Sequence, residues 1–543
     1  MSRSIAAVLA ALVLSCAPSG PLPTPPPLQP PPAFTPPDGW WKDAVFYEVF
    51  VRSFKDSGND GIGDLRGLTQ QLDYLNDGDP STTTDLGVDA IWLMPVFASP
   101  SYHGYDTTDY ELIQPDYGTA EDFRTFIVEA HQRGIKVIVD LVLNHTSTQH
   151  PWFRGAASST ANPKRDWYVW SPTDLGWGQP WNVSQDTWYL AGGGYYYGLF
   201  WSGMPDLNWK NPAVAAELDR VAALWLDRGV DGFRLDAVRY LVENGDGQQA
   251  DQAGTHAALK AFARGVRGHK PRATLVGEAW AATFVISDYY GDTTAVPGGD
   301  ELPLLFDFPL ADAMVQGVIS GSAEGIDATL RDIVGTYPAG ATDAPFLTNH
   351  DQVRLATPLG GDVAKLKLAA ALLLTMPGAP FIYYGEELGL QNGVDGNDES
   401  KRTPMPWDGS ATGGFTLGSP WYRFAPGQGT TNVSAQRNDP SSLLSRYRQL
   451  IRVRQGSAAL RRGALGPLTS GSPALLAFTR VEGSEMVLVV HNLSGSAATT
   501  ATLAVPGATA TPLDTVAGVT LAGGAGSWTA TLPARTSGIW RIQ

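Results

Sequence analysis

The sequence predicts an α/β protein. Eight parallel strands alternate with helices and close as a barrel, a subdomain is inserted after the third strand, and an antiparallel β-sandwich follows at the C-terminal end. Three observations predict this. Short apolar runs alternate with helix-period segments from about residue 42 to 456, and eight such β–α units in succession close as a (β/α)8 TIM barrel. One connection, over 146–210, is too long for an ordinary loop from strand to helix, is rich in Trp, Tyr and Gly, and lacks a helical period. Beyond 457 the pattern changes to short alternating strands separated by Gly and Ser turns.

Residues 1–16 read as a signal peptide. Arg3 precedes an apolar stretch, Ile5 to Leu14, too short to span a bilayer as a mature helix. Its end, Val13-Leu14-Ser15-Cys16, resembles a bacterial lipobox, in which the cysteine is lipidated and begins the mature chain. Leu14 departs from the usual small residue there. Cys16 is the only cysteine, so no intramolecular disulfide can form. The expectation is an exported bacterial protein, anchored to the cell envelope by lipid on Cys16 or otherwise secreted. Residues 17–38 are dominated by proline, cannot build a core, and are expected to form an extended spacer.

The first part of the barrel spans 39–144, with strands in "AVFYEVFV" (44–51), "VDAIWLMP" (88–95) and "IKVIVDLVL" (135–143). The inserted subdomain occupies 145–209. The second part, 210–456, carries "VDGFRLD" (230–236), "ATLVGEA" (273–279), "LLFDF" (304–308), "PFLTN" (345–349) and "PFIYYG" (380–385). Helical patterns lie between, such as 120–134, 211–229 and 362–378. The sandwich takes 457–543.

The chain has 543 residues, enough for two or three domains. A formal net charge of −16 excludes nucleic acid or an anionic membrane surface as partner. It suits a neutral substrate. Membrane contact is expected only through lipid at Cys16.

"GFRLDAVRY" (232–240) places Arg234 and Asp236 two apart in an apolar strand, hence on one face. Buried charges need partners, and a structural ion pair would suffice for these two alone. Further charged and polar residues fall at the same barrel face, where strands end: Asp140, Asn144 and His145 after the third strand, Glu278 at the fifth, His350 and Asp351 at the seventh. Active residues of such barrels sit there. Converging carboxylates with no His/Cys metal set point to glycosidic-bond cleavage, which needs one protonated acid and one ionised carboxylate. Arg234 holds Asp236 ionised by direct pairing, and Glu278, among apolar neighbours, has the setting of a general acid.

"DLVLNH" (140–145), "GFRLDAVRY" (232–240), "GEAW" (277–280) and "FLTNHD" (346–351) together resemble, in order and interval, the four main motifs of the α-amylase family of retaining glycoside hydrolases. The likeness covers about 40–543. It implies that Asp236 is the nucleophile, Glu278 the acid/base and Asp351 the third carboxylate. His145, Arg234 and His350 would contact the hydroxyls of the sugar in subsite −1. "YHGYDTTDY" (102–110) implies Tyr105 as the platform under that sugar, with His103 and Asp106 beside it. "NDESKRTPMPW" (397–407) implies that Asp398 and Arg402 also grip it.

"DSGNDGIGDLRG" (56–67) resembles the calcium loop of the oligo-1,6-glucosidase-like branch, with Asp56, Asn59, Asp60, the Ile62 carbonyl and Asp64 as candidate ligands. The usual order is Asp-Ser-Asn-Gly-Asp; here Gly58 and Asn59 are exchanged. "MPDLNW" (204–209) reads as intermediate between the oligo-1,6-glucosidase and neopullulanase branches. Ala237, small and directly after Asp236, goes with α-1,4 rather than α-1,6 preference in that resemblance. The expected substrate is an α-1,4-glucan, starch or a maltooligosaccharide, with pullulan cleavage or transglycosylation as side activities. The alternatives are an exo-acting α-glucosidase or oligo-1,6-glucosidase, and an inactive glucan-binding or transporter-associated protein, which loss of an acid would mark.

Overall fold

A computed structural model describes residues 30–543. The signal peptide and the lipidation expected at Cys16 lie outside the described residues. Eight parallel strands form one sheet: β1 Phe46–Val49, β2 Ala90–Leu93, β3 Lys136–Leu141, β4 Gly232–Leu235, β5 Thr274–Gly277, β6 Leu304–Phe306, β7 Thr342–Ala344 and β8 Phe381–Tyr383. β1 pairs with β2 on one side and β8 on the other. A parallel bridge from Phe346 to Phe381 returns β8 to the segment after β7 and closes the barrel. Alternation along each strand divides the core. Phe46, Trp92, Ile138, Phe306, Phe346 and Phe381 fill the interior, while Tyr47, Ile91, Val137 and Phe233 pack outward in the larger cluster with the helices.

The helices start where capping residues stand. Thr119 and Asp122 form a reciprocal capping box for Ala120–Gln132. Asn211 and Asp362 cap Pro212–Asp227 and Val363–Thr375. Among the described residues no helix is long and apolar enough to cross a membrane.

Three expectations need correction. β7 lies at 342–344 rather than 345–349, because Pro345 has no N–H for the ladder and the buried Asp343 interrupts the apolar run. The insert is not free of helix: Pro151–Ser158 is helical, begun by Pro151 and capped by the His150 ring, and is too short to show a period. The described end of the proline-rich stretch, 30–38, is not a free spacer. Phe34 stacks on His131 with centroids 4.0 Å apart, and Arg272 binds the Asp38 carboxylate at 2.5 Å and the Pro36 carbonyl at 3.1 Å.

The insert also holds a three-stranded antiparallel sheet and a hairpin, Gly178–Gln179 with Asn182–Asp186. At the C-terminal end are β9 Ala464–Leu468, β10 Leu475–Glu482, β11 Glu485–Asn492, β12 Thr499–Leu503, β13 Ala510–Thr515, β14 Thr520–Gly524, β15 Ser527–Leu532 and β16 Thr536–Ile542. They form two antiparallel sheets, β9-β10-β11-β16-β13 and β12-β15-β14. Leu488, Val490, Leu503, Trp528 and Trp540 pack between them.

Candidate active site

Arg234 on β4 points into the barrel and is fully buried. Its Nη1 donates to Asp140 Oδ1 at 3.0 Å and to Asp236 Oδ1 at 2.5 Å. Its Nη2 lies 2.9 Å from Glu278 Oε2. That contact is charge pairing without an aligned hydrogen bond, since Nη2 lacks a hydrogen-bond partner. One guanidinium thus gathers carboxylates from the ends of β3, β4 and β5. Burial pushes Glu278 up to about 7, with Arg234 opposing and Asp236 adding to the rise. Burial pushes Asp140 up to about 7 as well, against the pull of Arg234. Ala237 has a left-handed φ of 50°, uncommon for a residue with a Cβ. The turn aims its N–H at Glu278 Oε2, 3.0 Å away.

Asp351 lies across from these acids. His350 Nε2 is 3.2 Å from its Oδ2, and Arg402 Nη2 donates to its Oδ1 at 2.9 Å. Burial alone would push its pKa up, but His350 and Arg402 hold it well below the carboxylate range. Burial would lower His350, yet the charges of Asp351 and Glu48 push it up to about 9. It is therefore protonated at neutral pH.

The expected sugar contacts surround this group. The Tyr105 ring lies nearly parallel to His350, centroids 5.4 Å apart, and its hydroxyl meets His350 Nε2 at 2.6 Å and Asp140 Oδ2 at 3.0 Å. His103 stacks near Tyr105, and burial lowers its basicity. His145 is buried with its Nε2 lacking a protein partner, and burial lowers it too. Asp106 accepts from Ser99 Oγ at 2.7 Å and from Ser101 Oγ. Asp398 pairs with Arg402 at 2.9 Å and accepts from Tyr102 at 2.5 Å. All eleven residues expected for chemistry or sugar binding therefore stand in one connected group or beside it.

The catalytic-domain profile of the α-amylase family matches residues 48–463. The chain belongs to the α-amylase family. It is 41% identical over 460 residues to alpha-amylase 3 of Dictyoglomus thermophilum, covering 84% of this chain and 85% of that one. It is 33% identical over 525 residues to an oligo-1,6-glucosidase of Parageobacillus thermoglucosidasius, covering 84% and 90%. The crystal structure of an alpha-amylase from H. orenii matches with a TM-score of 0.83 at 38% identity, covering 92% of this chain and 100% of that one. The protein is thus a glycoside hydrolase of the α-amylase family.

Three site residues of this α-amylase family enzyme escaped the sequence reading. Glu48 on β1 is buried and accepts from His350 Nδ1 at 2.6 Å. An acid inside the apolar "FYEVF" was its signal, the same kind that marked Arg234. Tyr102 ties Asp398 to Arg402, donating to the first and accepting from the second at 3.1 Å. Asp206 accepts from Asn144 Nδ2 and from the Leu199 N–H, each at 2.9 Å, and so ties the insert to the end of β3.

The loop at 56–64 fits a cation incompletely. Asp56 and Asp64 face one another across Gly58: a Cβ there would lie 3.7 Å from Asp56 Oδ1 and 3.9 Å from Asp64 Oδ2. The carboxylates also accept backbone N–H groups, Asp56 from Asn59 and Gly61, Asp60 from Ile62, and Asp64 from Ser57 and Gly67. Asn59 is turned away and accepts from Leu417 N at 3.1 Å. Among the described residues no group of three or more His, Cys, Asp or Glu is arranged to hold a metal.

Proposed function

We propose that this enzyme hydrolyses α-1,4-glucosidic bonds of starch or maltooligosaccharides with retention of configuration. The observation that carries the reading is the gathering of Asp236 and Glu278 on Arg234, at 2.5 and 2.9 Å, with Glu278 pushed up to about 7 by burial. Glu278 gives its proton to the glycosidic oxygen as Asp236 bonds to C1 and the C1–O bond breaks. The leaving chain departs carrying that proton. Water then loses a proton to Glu278 while its oxygen attacks C1 and releases Asp236. Asp351, between His350 and Arg402, stabilises the positive charge that develops on the sugar. Tyr105 and the free Nε2 of His145 serve the same sugar, with His103, Asp398 and Arg402 around it.

Two things favour an α-1,4-glucan. One is the small Ala237 beside Asp236. The other is the 41% identity to a protein named alpha-amylase 3. The 33% identity to an oligo-1,6-glucosidase keeps an exo or α-1,6 action as the second reading. The presence of all three acids weighs against a purely binding role.

Products from maltoheptaose and isomaltotriose test this. Early release of several maltooligosaccharides supports the reading, whereas glucose alone or preferential cleavage of isomaltotriose supports the second.

Export with lipid on Cys16 is part of the same proposal. The Cys16→Ser protein is expected to leave the envelope fraction with unchanged activity.

A further inference from the structure

We propose that Trp181, at the turn of the hairpin in the insert, is the stacking platform for the sugar on the leaving side of the cleavage point. The inference rests on the glucan-hydrolase reading and names the part of the substrate that the core site does not hold.

The tryptophan is 51% exposed, unusual for so large an apolar side chain. Its position is built rather than incidental. Gln179 Nε2 donates to the carbonyls of Leu199 and Phe200, each at 2.9 Å, and Gln249 Nε2 donates to the Gly178 carbonyl at 2.7 Å. These bonds clamp the base of the hairpin. Trp181 then packs on Phe200 at 5.6 Å and on Tyr240 at 5.4 Å between ring centroids.

Those two contacts place it relative to the chemistry. Phe200 packs on His145 at 5.2 Å. Tyr240 lies in the short helical turn Val238–Tyr240 that follows Asp236, and Ala237, which opens that turn, donates its N–H to Glu278 Oε2 at 3.0 Å. Trp181 therefore lies on the side of Glu278, the group that protonates the departing oxygen. Tyr102, Asp398 and Arg402 gather instead on Asp351. A flat apolar ring half open to water suits the C–H face of a pyranose. A sugar there belongs to the leaving chain in cleavage and to the acceptor in transfer.

Wild type, Trp181→Ala and Trp181→Phe are compared on maltoheptaose and on α-glucosyl fluoride, whose leaving group needs no sugar site. For Trp181→Ala, KM for maltoheptaose is expected to rise about tenfold with kcat within about threefold, the weight of one aromatic contact. Fluoride turnover and melting temperature stay at wild-type values. Trp181→Phe recovers most of the affinity. Unchanged maltoheptaose kinetics in Trp181→Ala overturn the proposal, and so does an equal loss on both substrates, which marks a structural role. A wild type that cleaves the fluoride but not maltoheptaose overturns the glucan reading and this proposal with it.

Discussion

His350 donates from Nδ1 to Glu48 Oε1 at 2.6 Å, joining the segment after β7 to β1 beneath the site. The charges of Asp351 and Glu48 together keep the imidazole protonated, and the other ring nitrogen faces Tyr105 and Asp351.

Glu48→Gln is expected to cost about 3 kcal/mol of stability, since it leaves a buried charge short of a partner. The folded imidazole, at about 9, lies above its unfolded value, so this contribution is full below about 6.5 and is lost as pH rises through about 9. The melting-temperature gap between wild type and Glu48→Gln should therefore narrow from pH 6 to pH 10. A gap that widens would show that Glu48 acts through something other than the His350 charge.

Asp236→Asn is expected to fall below about a hundredth of wild-type turnover, because an amide cannot form the glycosyl ester. The fold should survive, since Arg234 still has Asp140 and Glu278. Circular dichroism and initial rates on maltoheptaose check both halves. Substantial residual rate would sink the nucleophile assignment.

Glu278 acts first as an acid, so kcat/KM should fall as pH rises through about 7. Glu278→Gln should lose that limb and be hurt far less on α-glucosyl fluoride than on maltoheptaose. Equal loss on the two substrates would remove the acid role.

Calcium at 56–64 is proposed to bind weakly, because Asp56, Asp60 and Asp64 would have to turn from the backbone N–H groups they accept to join the Ile62 carbonyl around it, with Asn59 outside the set. Millimolar calcium should raise the melting temperature and excess chelator should lower it. Gly58→Asn should strengthen the response, because its Cβ points between Asp56 and Asp64 at ordinary contact distance and Gly58 does not have a left-handed φ. Asp60→Ala should abolish it. Identical melting curves for wild type and Gly58→Asn, with and without calcium, would reduce the loop to turns and caps.

Much of the barrel was legible because buried parallel strands are continuous apolar runs, and charge inside such a run stands out. Arg234, Asp236 and Glu278 were found this way. β7 was misplaced because Asp343 breaks its apolar pattern and Phe346 continues it falsely past a proline. Glu48 carried the same signal as Arg234 but lay outside any quoted site motif. The role of Tyr102, and the meeting of Trp181 with Tyr240, depend on loops folding against one another. Local periodicity holds no record of such distant contacts.

The docking of Phe34 on His131 has a consequence for orientation. His131 ends the helix that runs down to the start of β3, and Arg272, which holds Asp38, sits just before β5. The chain therefore enters the barrel along the rim at the beginnings of the strands, the pole opposite the mouth with Asp236 and Glu278. The cleft faces away from that rim, so a large polymer reaches it without passing the side where the chain enters.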